Sequence, residues 1–210
     1  MGKFASVFCV LLIVLLVLPI FLFGFVPSVN ASPTVVTVGT SNSTNPISMS
    51  FQKKTFYCSG NSRWYAWYWT DIQFGYETSL DGVDWTGAFT DYYASYAYYF
   101  DLWYDEANDK ICLVRSQGAT ANIYYRQGTA NSNGTITWDS AEVLITTDAT
   151  YRPCLCKDSD GYPWVSYVDT ATNAEKVCKA TATNGSAWGT PTTLWANRAS
   201  GNEQIKIVPL

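Results

Sequence analysis

Short runs of aromatic and aliphatic residues alternate along the chain with clusters of Gly, Asn, Asp and Ser, a pattern that suits strands and tight turns rather than helices. Phe51 to Cys58, Trp64 to Thr70 and Gln73 to Ser79 read as three strands. Ser59-Gly60-Asn61-Ser62 is the turn between the first two, and a short fourth strand follows near Gly87 to Thr90. Tyr98 to Tyr104, Lys110 to Ser116 and Asn122 to Gln127 form a second set, with turns at Asp105 to Asp109 and Gly128 to Gly134. A third set repeats the first: Cys58 matches Cys156 and Asp71 matches Asp169, both at an offset of 98, and Ser59 to Ser62 matches Lys157 to Asp160. After Trp195 a polar stretch leads to Gln204-Ile205-Lys206-Ile207-Val208, which reads as the first strand of a fourth set.

One turn recurs. Ser79-Leu80-Asp81-Gly82-Val83-Asp84-Trp85 is followed by the looser copies Asn133-Gly134-Thr135-Ile136-Thr137-Trp138 and Asn184-Gly185-Ser186-Ala187-Trp188, whose tryptophans lie 53 and 50 residues apart. A fixed period of that size marks a repeat architecture, and four short antiparallel strands per repeat is the arithmetic of a β-propeller blade. The expected fold is therefore all-β: a β-propeller segment of about three four-stranded antiparallel blades, at about 51–92, 93–148 and 149–198, plus one extra strand opening a fourth at 203–210. Propellers close with roughly four to eight blades, so the chain reads either as the N-terminal part of a longer protein or as one completed by partner chains.

The first residues set an address. Lys3, the apolar run Phe4 to Val26 and the small residues Val29 and Ala31 fit a secretory signal, an N-terminal hydrophobic helix cut after Ala31. The run is 23 residues long, which also suits a retained anchor. Residues 1–31 are thus a signal peptide or an N-terminal membrane anchor, 32–50 an uncharged linker, and 51–210 the folded part, outside the cytoplasm in either case.

Beyond Lys3 there are 12 basic against 17 acidic residues, a net charge of −5 that argues against nucleic acid as a partner. The chain has no histidine, which excludes Ser-His-Asp and Cys-His catalysis and imidazole-bound zinc. Cys58, Cys112, Cys154, Cys156 and Cys178 lie in strand-like runs and read as small buried hydrophobes rather than metal ligands. Asp158-Ser159-Asp160-Gly161 reads as a turn, because Tyr162 and Pro163 stand where a calcium loop needs a ligand and a glycine. No metal and no cofactor is expected. Asn42-Ser43-Thr44, Asn133-Gly134-Thr135 and Asn184-Gly185-Ser186 are glycosylation sequons.

The recurring turn resembles the Asp-box, or bacterial neuraminidase repeat, of sialidase-like propellers, and Arg152-Pro153 through Tyr167 resembles an inner strand, turn and second strand of such a blade. Only the first copy keeps its aspartate; Asn133 and Asn184 replace it later. In such a box the Asp or Asn accepts backbone N–H bonds, the glycine takes a positive φ and the tryptophan packs between strands. Ser79, Asp81, Gly82, Trp85, Asn133, Gly134, Trp138, Asn184, Gly185 and Trp188 are accordingly structural. The resemblance implies a sialidase-type glycoside hydrolase, with arginines holding a carboxylate, a tyrosine nucleophile and an acidic proton donor. Arg152, Tyr151 and Asp101 are this chain's candidates for those roles. Tyr92, Tyr93 and Trp103, from an aromatic cluster, are candidates for stacking on sugar rings. Three functions stay open: an extracellular domain that recognises glycans or another surface ligand, a hydrolase completed elsewhere, and an adhesion or scaffold domain.

Overall fold

The computed structural model describes residues 35–41, 52–70, 74–92, 99–117, 122–148, 150–196 and 206–208. The chain divides into two units, Met1–Val36 and Thr37–Leu210, and every element below belongs to the second. The expected N-terminal helix lies outside the described residues, and no helix among them is long and apolar enough to cross a membrane.

The described residues form three antiparallel sheets. The first holds β1 (Thr55–Cys58), β2 (Arg63–Trp69), β3 (Phe74–Ser79) and β4 (Trp85–Tyr92), each strand beside its sequence neighbour. The second runs β5 (Phe100–Asp105), β6 (Lys110–Ser116), β7 (Ile123–Ala130) and β8 (Ile136–Trp138), with β9 (Val143–Thr146) also pairing with β7. A single 3-10 turn, Glu106–Asn108, joins β5 to β6. The third repeats the four-strand order with β10 (Thr150–Lys157), β11 (Pro163–Asp169), β12 (Ala174–Lys179) and β13 (Thr192–Trp195). There is no closed barrel or ring of sheets among the described residues.

Two expectations need correction. Lys206–Val208 carries no strand, so the described part of the expected fourth set is not a strand. The loop expected from Gly128 begins later, because β7 continues to Ala130 through ladder pairs with β8, Gly128 to Trp138 and Ala130 to Ile136.

Strand alternation explains how the sheets stack, since successive side chains leave opposite faces. In β6, Ile111 and Leu113 join a core with Trp67, Phe74, Phe100 and Leu102, between the first and second sheets. Their neighbours Cys112 and Val114 join a second core with Tyr125, Leu155, Val165 and Tyr167, between the second and third. The run Ile111-Cys112-Leu113-Val114 is apolar without interruption because both of its faces are covered. Each large side chain so buried contributes roughly 1.5–3 kcal/mol. All five described cysteines are buried and unpaired. Burial pushes the thiols of Cys112 and Cys178 up to about 11, which suppresses the reactive thiolate.

The same stacking is pinned by polar groups. Asp101, fully buried on β5, accepts a hydrogen bond from the backbone N–H of Lys53, just ahead of β1, and one from the backbone N–H of Leu155 on β10 at 2.8 Å. One carboxylate therefore ties β5 to β10 and to the segment leading into β1. Burial pushes its carboxyl up, and the Lys53 ammonium and the two N–H donors pull the other way. Further along the same strand Asp105 accepts from Lys157 Nζ at 2.7 Å, a buried ion pair between the second and third sheets. At the other seam Tyr104 Oη donates to Asp109 at 2.9 Å and accepts from the backbone N–H of Gly60 at 3.2 Å.

The three recurring turns share one geometry. Gly82, Gly134 and Gly185 all have positive φ, and the preceding Asp81, Asn133 and Asn184 each accept backbone N–H bonds through Oδ1. Trp85 and Trp188 close their turns by donating Nε1–H to the carbonyls of Gly82 and Gly185, at 3.2 and 2.9 Å. Surroundings differ between them. A Cβ on Gly134 would sit 2.8 Å from Thr78 Oγ1 of the first sheet, and one on Gly185 would collide with the Tyr125 ring of the second. Gly82 meets only Trp64 of its own sheet, at 3.6 Å.

Two outcomes are expected. Asp101→Ala leaves two buried N–H donors unsatisfied and should lower the unfolding free energy by roughly 3 kcal/mol or more, read from urea titration; a loss below about 1 kcal/mol would remove Asp101 from its role as a tie. Gly82→Ala should cost about 1–2 kcal/mol of left-handed strain, whereas Gly185→Ala adds an overpacking cost of about 1–3 kcal/mol. The two variants should therefore melt clearly apart, and equal melting temperatures would contradict the seating of Gly185 on Tyr125.

Candidate functional site

The turn from β10 to β11 is built around Asp158. Its Oδ1 accepts the backbone N–H groups of Asp160 and Tyr162 at 3.1 and 2.8 Å, and Gly161 supplies the positive φ that reverses the chain. Its Oδ2 accepts Trp164 Nε1–H at 2.9 Å and pairs with Lys179 Nζ at 2.8 Å. Trp164 and Lys179 face one another across β11 and β12. The lysine ammonium lies 4.8 Å from the Tyr162 ring centroid and 5.0 Å from that of Trp164, within cation–π range.

Alternation places this group on the face of the third sheet opposite the core it shares with the second. Val165, Tyr167 and Cys178 point into the core shared with the second sheet, so Trp164, Val177 and Lys179 point the other way. There they line a cleft of about 460 Å³ together with Tyr162, Thr190 and Thr192. On the other side of the Asp158 turn, a second cleft of about 400 Å³ is lined by Trp103, Glu106, Asp160 and the Asp105–Lys157 pair.

Burial would raise the Asp158 carboxyl, but the Lys179 ammonium and the Trp164 and Tyr162 N–H donors outweigh it and hold the group at about 2. Asp158 is thus a fixed acceptor at neutral pH and has no proton to give. Asp105 is likewise held down: burial would raise it, and Lys157 and Asn108 lower it further. The first cleft offers flat aromatic surface, one cation and a hydroxyl edge from Thr190 and Thr192, a composition for holding a polar ring rather than for transferring protons to it. Among the described residues no three His, Cys, Asp or Glu side chains group as they would around a metal ion.

The residues singled out from the sequence are dispersed. Asp101 is a buried tie with both oxygens engaged by backbone N–H donors, and solvent does not reach it. Arg152 lies at a bulge in β10, between the pairs Tyr151 to Val168 and Cys154 to Ser166, with a strained φ of +59°. The side chains of Tyr151 and Tyr92 and the whole of Tyr93 lie outside the described residues. Trp103 is half-buried, and Lys53 Nζ covers its ring at 4.1 Å from the centroid. Lys53 also donates from Nζ to the carbonyl of Leu155 at 3.2 Å, so Asp101 and Trp103, on one face of β5, share this lysine. Trp164, Lys179 and Asp158 form the most coherent group, and sequence reasoning missed it. Its signal is the placement of Trp164 and Lys179 opposite one another, visible only once the β11–β12 register is known.

No protein-family model and no curated protein matches the chain. Among solved structures it matches the crystal structure of a "putative exo-beta-1,3-galactanase from Bifidobacterium bifidum s17", at a TM-score of 0.44 and 13% sequence identity, over 70% of this chain and 53% of that one. The chain thus spans about half the length of that protein.

The Asp158 carboxyl should titrate with a midpoint of about 2, against an ordinary value of about 3.9 in the unfolded chain. Because the folded value is the lower one, the stabilisation is complete above the unfolded value and is lost as pH falls through the folded one. Carboxyl-carbon NMR on Lys179→Gln should show the midpoint moving up toward the ordinary value, and an unmoved midpoint would mean that the ion pair is not the cause.

Proposed function

We propose that this chain is an exported, sialidase-like partial propeller that recognises carbohydrate without catalysing its hydrolysis. The observation that carries the binding part is the Tyr162–Trp164 aromatic surface in a cleft whose edge holds Lys179, with Asp158 fixing both the indole and the ammonium. A pyranose presents a C–H face that lies on an aromatic ring while its hydroxyls meet donors and acceptors at the ring's edge. Trp164 supplies the first, and Lys179, Thr190 and Thr192 the second.

The propeller reading is supported by three successive four-strand meanders, by the tie of Asp101 across β5, β10 and the segment leading into β1, and by the recurring turn at a pitch near 50 residues. A non-catalytic reading is favoured by Asp101, the candidate acid, having both oxygens occupied as a tie between sheets. Export is the role of residues 1–31, either as a cleaved signal or as a retained anchor.

The test is an oligosaccharide array probed with the full chain, followed by calorimetry on the best ligand. Trp164→Ala should weaken binding at least tenfold, equivalent to about 1.4 kcal/mol, while the melting temperature stays within a few degrees because Trp164 is not in either core. A folded protein that binds nothing on the array would favour a scaffold domain. Release of reducing sugar from a bound oligosaccharide would favour the hydrolase.

A further inference from the structure

We propose that Asn133 and Asn184 are acceptors for N-linked oligosaccharide, carried on the second and third copies of the recurring turn; the proposal rests on the export reading above. Both asparagines are exposed, while the glycine that follows each of them, Gly134 and Gly185, is buried against the preceding sheet. Each is followed two residues later by a hydroxyl residue, Thr135 and Ser186, with glycine rather than proline between, as an acceptor sequence requires.

The turn needs only one end of the amide. Oδ1 of Asn133 accepts the Thr135 backbone N–H at 3.0 Å and the Thr135 hydroxyl at 2.7 Å, and Oδ1 of Asn184 accepts the Ser186 backbone N–H at 3.0 Å. In the first copy Asp81, which has no amide nitrogen, does the same work through its own Oδ1, toward the N–H groups of Val83 and Asp84 at 2.8 and 2.9 Å. Neither asparagine Nδ2 makes a hydrogen bond within the described residues, so the nitrogen is surplus to the fold and faces solvent. A sugar attached there leaves the oxygen, the turn and the glycine's seat on the neighbouring sheet unchanged. The change from Asp in the first copy to Asn in the next two thus preserves the turn and adds a reactive nitrogen.

In the transfer, Nδ2 forms a bond to the anomeric carbon of a lipid-linked oligosaccharide. The bond between that carbon and the lipid phosphate oxygen breaks, the phosphate leaves with the electron pair, and one Nδ2 proton passes to a base of the transferase.

The experiment uses the full chain with Asn42→Gln, because that third sequon lies outside the described residues. It is placed behind a cleavable leader of proven export and expressed in a eukaryotic secretory host. Intact mass should show two glycan increments. Asn133→Asp and Asn184→Asp should each remove one, and because aspartate restores the first-copy turn, both variants should melt with the parent. Secreted, folded protein with no increment at either position would overturn the proposal. Fractionation of the native chain without the added leader tests export separately, so a failure there is distinguishable from a failure of the acceptor sites.

Discussion

The three sheets depend on a buried carboxylate that belongs to none of the cores. Asp101 holds the N–H of Lys53 with one oxygen and that of Leu155 with the other, so strand β5 is locked to the entry of β1 and to the middle of β10. A fully buried carboxylate is costly unless its oxygens are satisfied, and here the partners are two backbone N–H donors. Lys53 adds its ammonium above Trp103 and a bond to the Leu155 carbonyl, which keeps the countercharge close to the acid without putting it in direct contact. The Asp105–Lys157 pair repeats the device nearer the turns, at the seam between the second and third sheets.

Around these ties the packing is a consequence of alternation. The second sheet has no solvated face along β6, and its two sets of side chains feed two separate cores. The outermost faces behave differently. On the third sheet the face turned away from the core carries Trp164, Val177 and Lys179, which line the aromatic cleft, while further along that face Cys154, Ser166 and Val168 are buried and Cys154 Sγ lies 3.9 Å from the carbonyl of Ile207.

Much of the architecture was legible in the sequence. Lys110–Ser116 was read with its observed bounds, and β2, β3 and β7 start within one residue of expectation, because aromatic alternation and Gly/Asn turns are local signals. The turn glycines were legible for the same reason, since a positive φ is a local demand. What escaped was everything that depends on register between distant segments. Asp101 in sequence is one acid among seventeen, and its partners lie 48 and 54 residues away. Trp164 and Lys179 are unremarkable strand residues until pairing sets them opposite one another. Arg152 is only a weak match to a substrate arginine and reads better as a strand-end residue, and its positive φ at a bulge is not foreseeable from a residue that precedes proline, where extended backbone is the norm.

The seating of the later turns has a direction. Gly134 rests on Thr78 and Gly185 on Tyr125, so these two turns each dock onto the sheet that precedes them in the chain. A ribosome releases the chain from its N-terminus at roughly 5–20 residues per second, which gives each sheet time to form before the next hairpin emerges to find it. Assembly can then proceed by accretion, with Asp101 accepting Lys53 first and holding one oxygen in reserve until Leu155 is translated.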